Sequence, residues 1–299
     1  MNKSNFIRKK NIVLSFLIII SIIFILGSLK TTINIANYSK SISKFDNSYI
    51  IKDTTTEDHI NYMMNYDREN SLKNFNTLVN YMFSKNNVKF LTHFYYLTNY
   101  FDNEGNQIRH YFIDNNFNAY QKLDIFKGKS FSEDYFTEQN KIIPIVIGFN
   151  LKDKYTIGEI YSLQDPLTGI TNQYKVIGIL SKNFSYISPN FDMYENLNYS
   201  IIQPISLNSI INTNQFSAFD LLITRSIAIT NDISNLKEIE SKSKELGLFS
   251  IKYISSEESL NKIIELIKPK QYISLFLSCI STIIIILLNF VNNKRKKDN

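Results

Sequence analysis

The sequence predicts an α+β protein in which two transmembrane helices flank a mixed α/β domain lying outside the membrane. Three observations lead there. Two long uncharged apolar runs stand near the two ends of the 299-residue chain. Lys and Arg cluster on the outer flank of each run. Between the runs, helical stripes and short strand-like segments alternate without any internal repeat.

The first run is Ile12 to Leu29, IVLSFLIIISIIFILGSL. As a helix it reaches about 27 Å, close to the thickness of a hydrocarbon core. The second is Tyr272 to Phe290, YISLFLSCISTIIIILLNF, also uncharged. Lys3, Arg8, Lys9 and Lys10 charge the tail 1–11 to +4, and Lys294 to Lys297 against Asp298 charge residues 289–299 to +3. The whole chain carries +6, so residues 12–288 sum to −1. A whole-chain +6 and a pI near 9.0 would suggest an anionic partner such as nucleic acid. Confinement of that charge to the tails argues against it. Basic tails stay cytoplasmic, which predicts basic tails at 1–11 and 291–299, membrane helices at 12–29 and 272–290, and an extracytoplasmic region over 30–271. The tails would lie against anionic membrane lipid. A cleaved signal peptide competes for the first run. That run is long for a signal core, and no A-x-A-like site follows it; Ile25 would hold the third position before a cut after Gly27.

The single cysteine, Cys279, leaves no intrachain disulfide. The outer region therefore relies on its hydrophobic core. It opens with a helix over about 31–47, where Ile35, Tyr38, Ile42 and Phe45 share one face. Leu72, Phe75, Val79 and Met82 mark another helix. Val88 to Tyr100 and Gln107 to Asp114 read as a strand pair around the turn Asp102-Asn103-Glu104-Gly105-Asn106. Ile142 to Ile147 is a short buried strand. Glu159 to Leu163 and Gln173 to Leu180 are strands joined at Asp165-Pro166-Leu167-Thr168-Gly169. Tyr199 to Ile205 and Phe219 to Thr230 are further strands. Asp232 caps a helix carrying Ile233, Leu236, Ile239 and Leu246, which Gly247 stops. With the strand Phe249 to Ile254 this makes a βαβ unit. Ser255 and Glu258 form an S-x-x-E capping box for a helix over about 256–268. Its stripe is Leu260, Ile263, Ile264 and Ile267, and Pro269 should kink or break it. The two stripes either pair as a short stalk or cover the underside of the domain.

The segment 122–180 reads KLDIFKGKSFSEDYF, then IPIVIGFNLKDKYTIGEIYSL, then YKVIGIL. It resembles the periplasmic core domain of MacB-like proteins, within the FtsX-like ABC transporter permeases. The acidic turn Gly128 to Asp134 precedes a strand led by Pro144. A short helix then ends at the turn Ile157-Gly158-Glu159, and Lys175 to Ile179 closes the unit. Lys129 stands for the family's usual Arg and Glu159 for its usual Asp. Gly148 should let strand turn into helix and Gly158 helix into strand. Gly178 should mark a bulge or close packing. The resemblance spans about residues 10–290. It implies a separate ABC ATPase subunit, a possible second permease chain and a possible homodimer. The family usually has four membrane helices, so this chain resembles the front half of a permease, as a split or truncated subunit.

No motif points to an enzyme or to a cofactor. Gly128-Lys129-Ser130 lacks the earlier glycine of a phosphate loop, because position 123 is Leu. His59, His93 and His110 are scattered without cysteine partners. A weak metal site at His93 and His110 across their hairpin competes with the favoured reading, paired surface residues of a sheet. Glu57-Asp58 and Glu133-Asp134 read as solvated turn or cap residues. No G-x-S-x-G elbow presents a nucleophile. The 22 Phe and 19 Tyr suit a core and a surface better than base stacking. The sequence thus points to a membrane subunit of a MacB/FtsX-like transport or mechanotransmission system. In that reading the outer domain couples ATP-driven helix movement to substrate export, release or partner activation. The alternative is a membrane-anchored extracytoplasmic binding or scaffold protein without motor coupling.

Overall fold

A computed structural model describes residues 3–42, 47–102, 104–137, 141–187, 194–213 and 215–297. Within its two long terminal helices, side chains are described at 15, 16, 18–33, 35 and 36, and at 256–259, 261, 262, 264, 265, 268, 269, 272–280 and 282–287. In chain order the elements are α1 (Lys3–Ile42), β1 (Ser48–Asp53), α2 (Glu57–Asn65), α3 (Arg68–Phe83), β2 (Lys89–Phe101), β3 (Gln107–Ile113), α4 (Asn115–Tyr120) and β4 (Ile125–Gly128). Next come β5 (Ile142–Ile147), β6 (Ile160–Gln164), β7 (Thr171–Leu180), β8 (Ser185–Ile187), β9 (Tyr194–Asn196), β10 (Ser200–Pro204) and α5 (Leu207–Thr213). The chain ends with α6 (Phe216–Thr224), β11 (Ser226–Ile229), α7 (Ile233–Glu245), β12 (Ile251–Ser255) and α8 (Ser256–Lys297). It divides into two units, Met1–Lys44 with Leu260–Asn299, and Phe45–Ser259.

The second unit is built on a ten-stranded sheet in the order β12-β1-β11-β2-β3-β10-β5-β7-β4, with β6 also paired to β7. β8 and β9 form a separate ribbon. β2 joins the two halves of the sheet. Its residues 89–92 pair with β11, and its residues from His93 onward pair with β3. The strand pair expected at 88–114 is therefore present, and Asp102 closes its turn by accepting from the Glu104 and Asn106 N–H groups. α3, α6 and α7 cover one half of the sheet. Leu72, Phe75, Val79 and Met82, the stripe read from spacing, all enter that core. A second core gathers Ile145, Ile147, Leu151, Tyr174, Val176 and Ile201.

Three expectations change. Phe219 to Thr230 is not one strand; α6 occupies 216–224 and only 226–229 extend. Phe216, Phe219, Leu222 and Ile223 share a helix face, and Phe216 and Phe219 stack around Phe75 at 4.9 and 5.9 Å. A compact apolar run has no period that tells helix from strand, so burial against α3 decides it. The βαβ unit is split, because β1 lies between β11 and β12 and runs antiparallel to both. Finally, α8 continues through Pro269. Proline removes one N–H from the ladder, and the turns on either side keep theirs. The start of α8 is as read: the Glu258 N–H donates to Ser255 Oγ at 3.1 Å. Glu57-Asp58 and Glu133-Asp134 sit in the first turns of α2 and of a 3-10 turn, as caps should.

The first unit reverses the usual distribution of side chains. Ser21, Ser28 and Ser278 are buried at 5–6% exposure, while Phe16, Ile23, Leu26, Phe276 and Ile286 stand about 60% exposed. The Ser274 hydroxyl donates to the Phe24 carbonyl at 2.9 Å, joining α8 to α1. Thr31, Thr32 and Thr282 return their hydroxyl protons to carbonyls four residues back, so they leave no donor open. Among the described residues no helix is long and apolar enough to cross a membrane. The runs with described side chains, such as 18–33, are shorter than a span, whereas the helical backbone is continuous over 12–29 and 272–290.

His93 and His110 are core residues, not the surface pair expected. His93 is fully buried against Phe117 and Tyr186, at 4.2 and 5.8 Å between ring centres. His110 stacks on Phe112 at 4.9 Å. They are not opposite each other, since His93 faces Ile113 and His110 faces Tyr96. Burial pushes the His93 imidazole down to about 3, with Arg225 adding to the shift. Burial also pushes His110 down to about 4. The unfolded imidazole protonates near pH 6.5. Each therefore stabilises the fold fully above about pH 6.5, and that contribution is lost as pH falls toward the folded value. For His93 the loss reaches about 2 kcal/mol at pH near 5. A His93→Phe variant should lose less stability than the parent between about pH 7.5 and 5, read from urea midpoints. Equal losses would show that His93 does not carry the acid sensitivity.

Candidate functional site

The segment that carries the family resemblance folds back on itself at two glycines. β4 and β7 pair so that Gly128 lies opposite Gly178. Gly128 has φ +86°, and a Cβ there would stand 2.3 Å from the Ile177 carbonyl oxygen. A Cβ on Gly178 would stand 2.4 Å from the Lys129 carbonyl oxygen. Each strand thus occupies the space that a side chain on the other would need. The bulge expected at Gly178 is seen beside it, where the register of β5 on β7 slips between Ile145 and Val146. Gly148 has an ordinary φ of −66°, and only a 3-10 turn follows it, so the expected short helix is reduced to one turn. Its need for glycine comes from elsewhere. A Cβ would lie 2.1 Å from the Leu197 oxygen and 2.3 Å from the Asn198 oxygen. Gly158 has φ +92° with nothing near it, so there the conformation alone asks for glycine.

Pro144, the other residue of the motif, forms one wall of a groove of about 550 Å³. Its partner across the groove is Pro204 at the end of β10. β5 and β10 pair antiparallel, with Ile147 opposite Ile201 and Val146 opposite Ile202. The Gly148 N–H donates to the Ser200 oxygen at 2.7 Å, which fixes the hydrogen-bonded pairs as alternate residues. The next such pair would be Pro144 with Pro204. Neither has an N–H, so the ladder stops there, and the groove opens beside the two prolines. Thr168 and Ile170 of the β6–β7 turn and Asn172 of β7, together with residues of α5, line the opening.

Beneath the groove lies a buried polar cluster that the sequence reading missed. Asp165 is 3% exposed. Its Oδ1 accepts from the Leu167 and Thr168 N–H groups at 2.8 and 3.1 Å. The Tyr174 hydroxyl donates to Oδ2 at 3.0 Å, and Gln203 Nε2 approaches the same oxygen at 3.5 Å. Burial, then the Asp165 charge, holds the Tyr174 phenol well above its ordinary value. The turn Asp165-Pro166-Leu167-Thr168-Gly169 was legible, and an aspartate opening such a turn commonly folds onto its own backbone. What hid the cluster was the contribution of Tyr174 and Gln203 from two other strands.

The stalk residues are placed only in part. Ile35 on α1 and Ile264 on α8 are half-buried. Tyr38, Ile42, Leu260, Ile263 and Ile267 lie on the same two helices with side chains outside the described set, and Phe45 falls outside the described residues. Among the described residues no group of three His, Cys, Asp or Glu side chains could hold a metal.

Gly178→Ala should destabilise the domain by about 3 kcal/mol, the cost of forcing atoms into occupied space. Gly158→Ala should cost about 1–2 kcal/mol, the left-handed backbone penalty alone. Urea unfolding of both variants tests the order, and equal costs would remove the close approach as the reason for Gly178.

No family description and no curated protein matches the sequence. Among solved structures the chain is similar to the extracellular domain of the noncanonic ABC-type transporter YknZ from Gram-positive bacteria, at 13% identity and a TM-score of 0.40. That match covers 70% of this chain and 100% of the other. It is also similar to the periplasmic region of MacB from Actinobacillus actinomycetemcomitans, at 15% identity and a TM-score of 0.40, covering 77% of this chain and 98% of that one.

Proposed function

We propose that this chain is a membrane subunit of a MacB/FtsX-like ABC system. In this reading α1 and α8 cross the membrane with both ends cytoplasmic, and the sheet domain works outside. The observation that carries the membrane part is the inside-out character of the first unit. Ser21, Ser28 and Ser278 are turned inward, and large apolar side chains such as Phe16, Ile23, Leu26 and Phe276 outward. In water such a surface costs about 25 cal/mol per Å². In lipid it costs nothing, and small hydroxyl residues are what let two membrane helices approach. The resemblance of residues 122–180 supports the rest: a separate ATPase chain and a possible second permease chain or homodimer. That this chain is itself no enzyme follows in this reading from the lack of a catalytic or nucleotide-binding motif in the sequence.

Coupling needs the outer domain to be gripped where the helices meet it. Tyr49 pairs with Ser255, so the first and last strands of the domain lie side by side. A movement that shifts α1 against α8 would act on two adjacent strands rather than on opposite ends of the domain. Ile35 and Ile264 are the positions to test.

Three measurements test the reading. In a Cys279→Ser background, Ser4→Cys should react with an impermeant thiol reagent only after the cells are opened, and Glu104→Cys should react in intact cells. Cross-linked purification from native membranes should recover an ATPase chain. Ile35→Asp with Ile264→Asp should abolish output of the system while the outer domain stays folded and labelled. Recovery of no ATPase and no second permease chain, with the double variant silent, would leave a membrane-anchored binding or scaffold protein in its place.

A further inference from the structure

The groove at the split between β5 and β10 has a lining with a definite chemical bias. Its volume of about 550 Å³ lies within the ordinary range for small-ligand sites. Among the described residues no side chain lining it is charged. The polar groups are amides and hydroxyls, among them Asn172, Asn212 and Gln215, and the apolar ones are Ile143, Ile170 and the two prolines. A charged ligand would give up its hydration with no opposite charge to replace it. An apolar ligand would leave the amides without partners.

The backbone sharpens this. In a strand the N–H and C=O of one residue point to the same neighbour. Pro144 and Pro204 therefore turn their carbonyls toward the gap between them and offer no N–H alongside. An extended peptide laid into the gap would find acceptors for its N–H groups and no backbone donors at the prolines for its carbonyls. Sugar hydroxyls do not carry that constraint, since each can rotate to donate to a carbonyl or accept from an amide. The C–H faces of a sugar ring would lie on Pro144, Pro204 and the Tyr135 ring at the groove's edge. Gln203, 6% exposed, forms part of the floor, its Nε2 3.5 Å from Asp165 Oδ2.

We propose that the Pro144/Pro204 split is a binding site for an uncharged oligosaccharide of two or three rings. This goes beyond the membrane-subunit reading and does not rest on it. The test uses the full chain, purified in a detergent without a sugar headgroup, and no ATPase is present. Maltotriose, cellotriose and chitotriose are titrated by calorimetry and by ligand-observed NMR, beside a capped, uncharged Asn-Gln-Ser-Thr peptide. At least one trisaccharide should bind with a dissociation constant of about 1 mM or tighter. Asn212→Ala and Asn172→Ala should each weaken it about fivefold or more. Asn212→Trp, which fills the groove from an exposed helix position, should abolish it without shifting thermal unfolding. Binding by none of the three sugars, sugar binding that survives Asn212→Trp, or binding by the peptide alone would each overturn the assignment. Failure to recover an ATPase from membranes would leave the sugar result untouched, so the two readings fail separately.

Discussion

The sheet domain depends on places where one backbone passes another with no room for a Cβ between them. Gly128 against Gly178 closes β4 onto β7, and Gly148 admits the Leu197–Asn198 segment at the head of β10. A clash at either point would part strands that carry Ile145, Ile147, Val176 and Ile201 into the second core. The side chains of that core can adjust their rotamers, but a carbonyl oxygen within 2.4 Å of a Cβ cannot. The usual order of importance is thus inverted. Apolar packing fills a frame whose dimensions are set by three residues without side chains.

The same strands produce the groove. β5 is tied to β7 along its length and to β10 for only two residue pairs, because two prolines meet where the third hydrogen-bonded pair would form. Loss of that pair removes two hydrogen bonds, each worth about 1 kcal/mol net. Beside it, Asp165 in the β6–β7 turn accepts from Tyr174 of β7 and lies 3.5 Å from Gln203 Nε2 of β10, so a polar cluster lies where the apolar ladder ends.

Much of this could be read from the sequence, and the failures have physical reasons. Strands such as Ile142–Ile147 and the pair around Gly105 were legible because turn chemistry bounds them. The α3 stripe was legible because its 3-4 spacing has one interpretation. Residues 216–224 were not, since a helix buried on most of its surface loses the polar face that makes its period visible. Gly148 was flagged for the wrong reason. Sequence shows that a glycine is present, and only the path of residues 197–198 shows why. The Pro144/Pro204 gap was invisible for a related reason, because it exists only once the register of β10 on β5 is known. The burial of His93 and His110 is not legible in the sequence because a hairpin in isolation has two equivalent faces.

The placement of β1 between β11 and β12 has a consequence for how the protein is made. Thr54 reaches Ser250, 196 positions along the chain, through its side chain and its backbone. The strand that leaves the ribosome early has no neighbours in the sheet until the last part of the domain has been synthesised. At about 5–20 residues per second it waits on the order of ten seconds or more with both edges bare. Exposed strand edges are aggregation templates. Assembly of this half of the sheet is therefore a late, all-at-once event, and a chaperone that holds residues 48–53 until residues 226–255 arrive would matter more here than one acting on the rest of the fold.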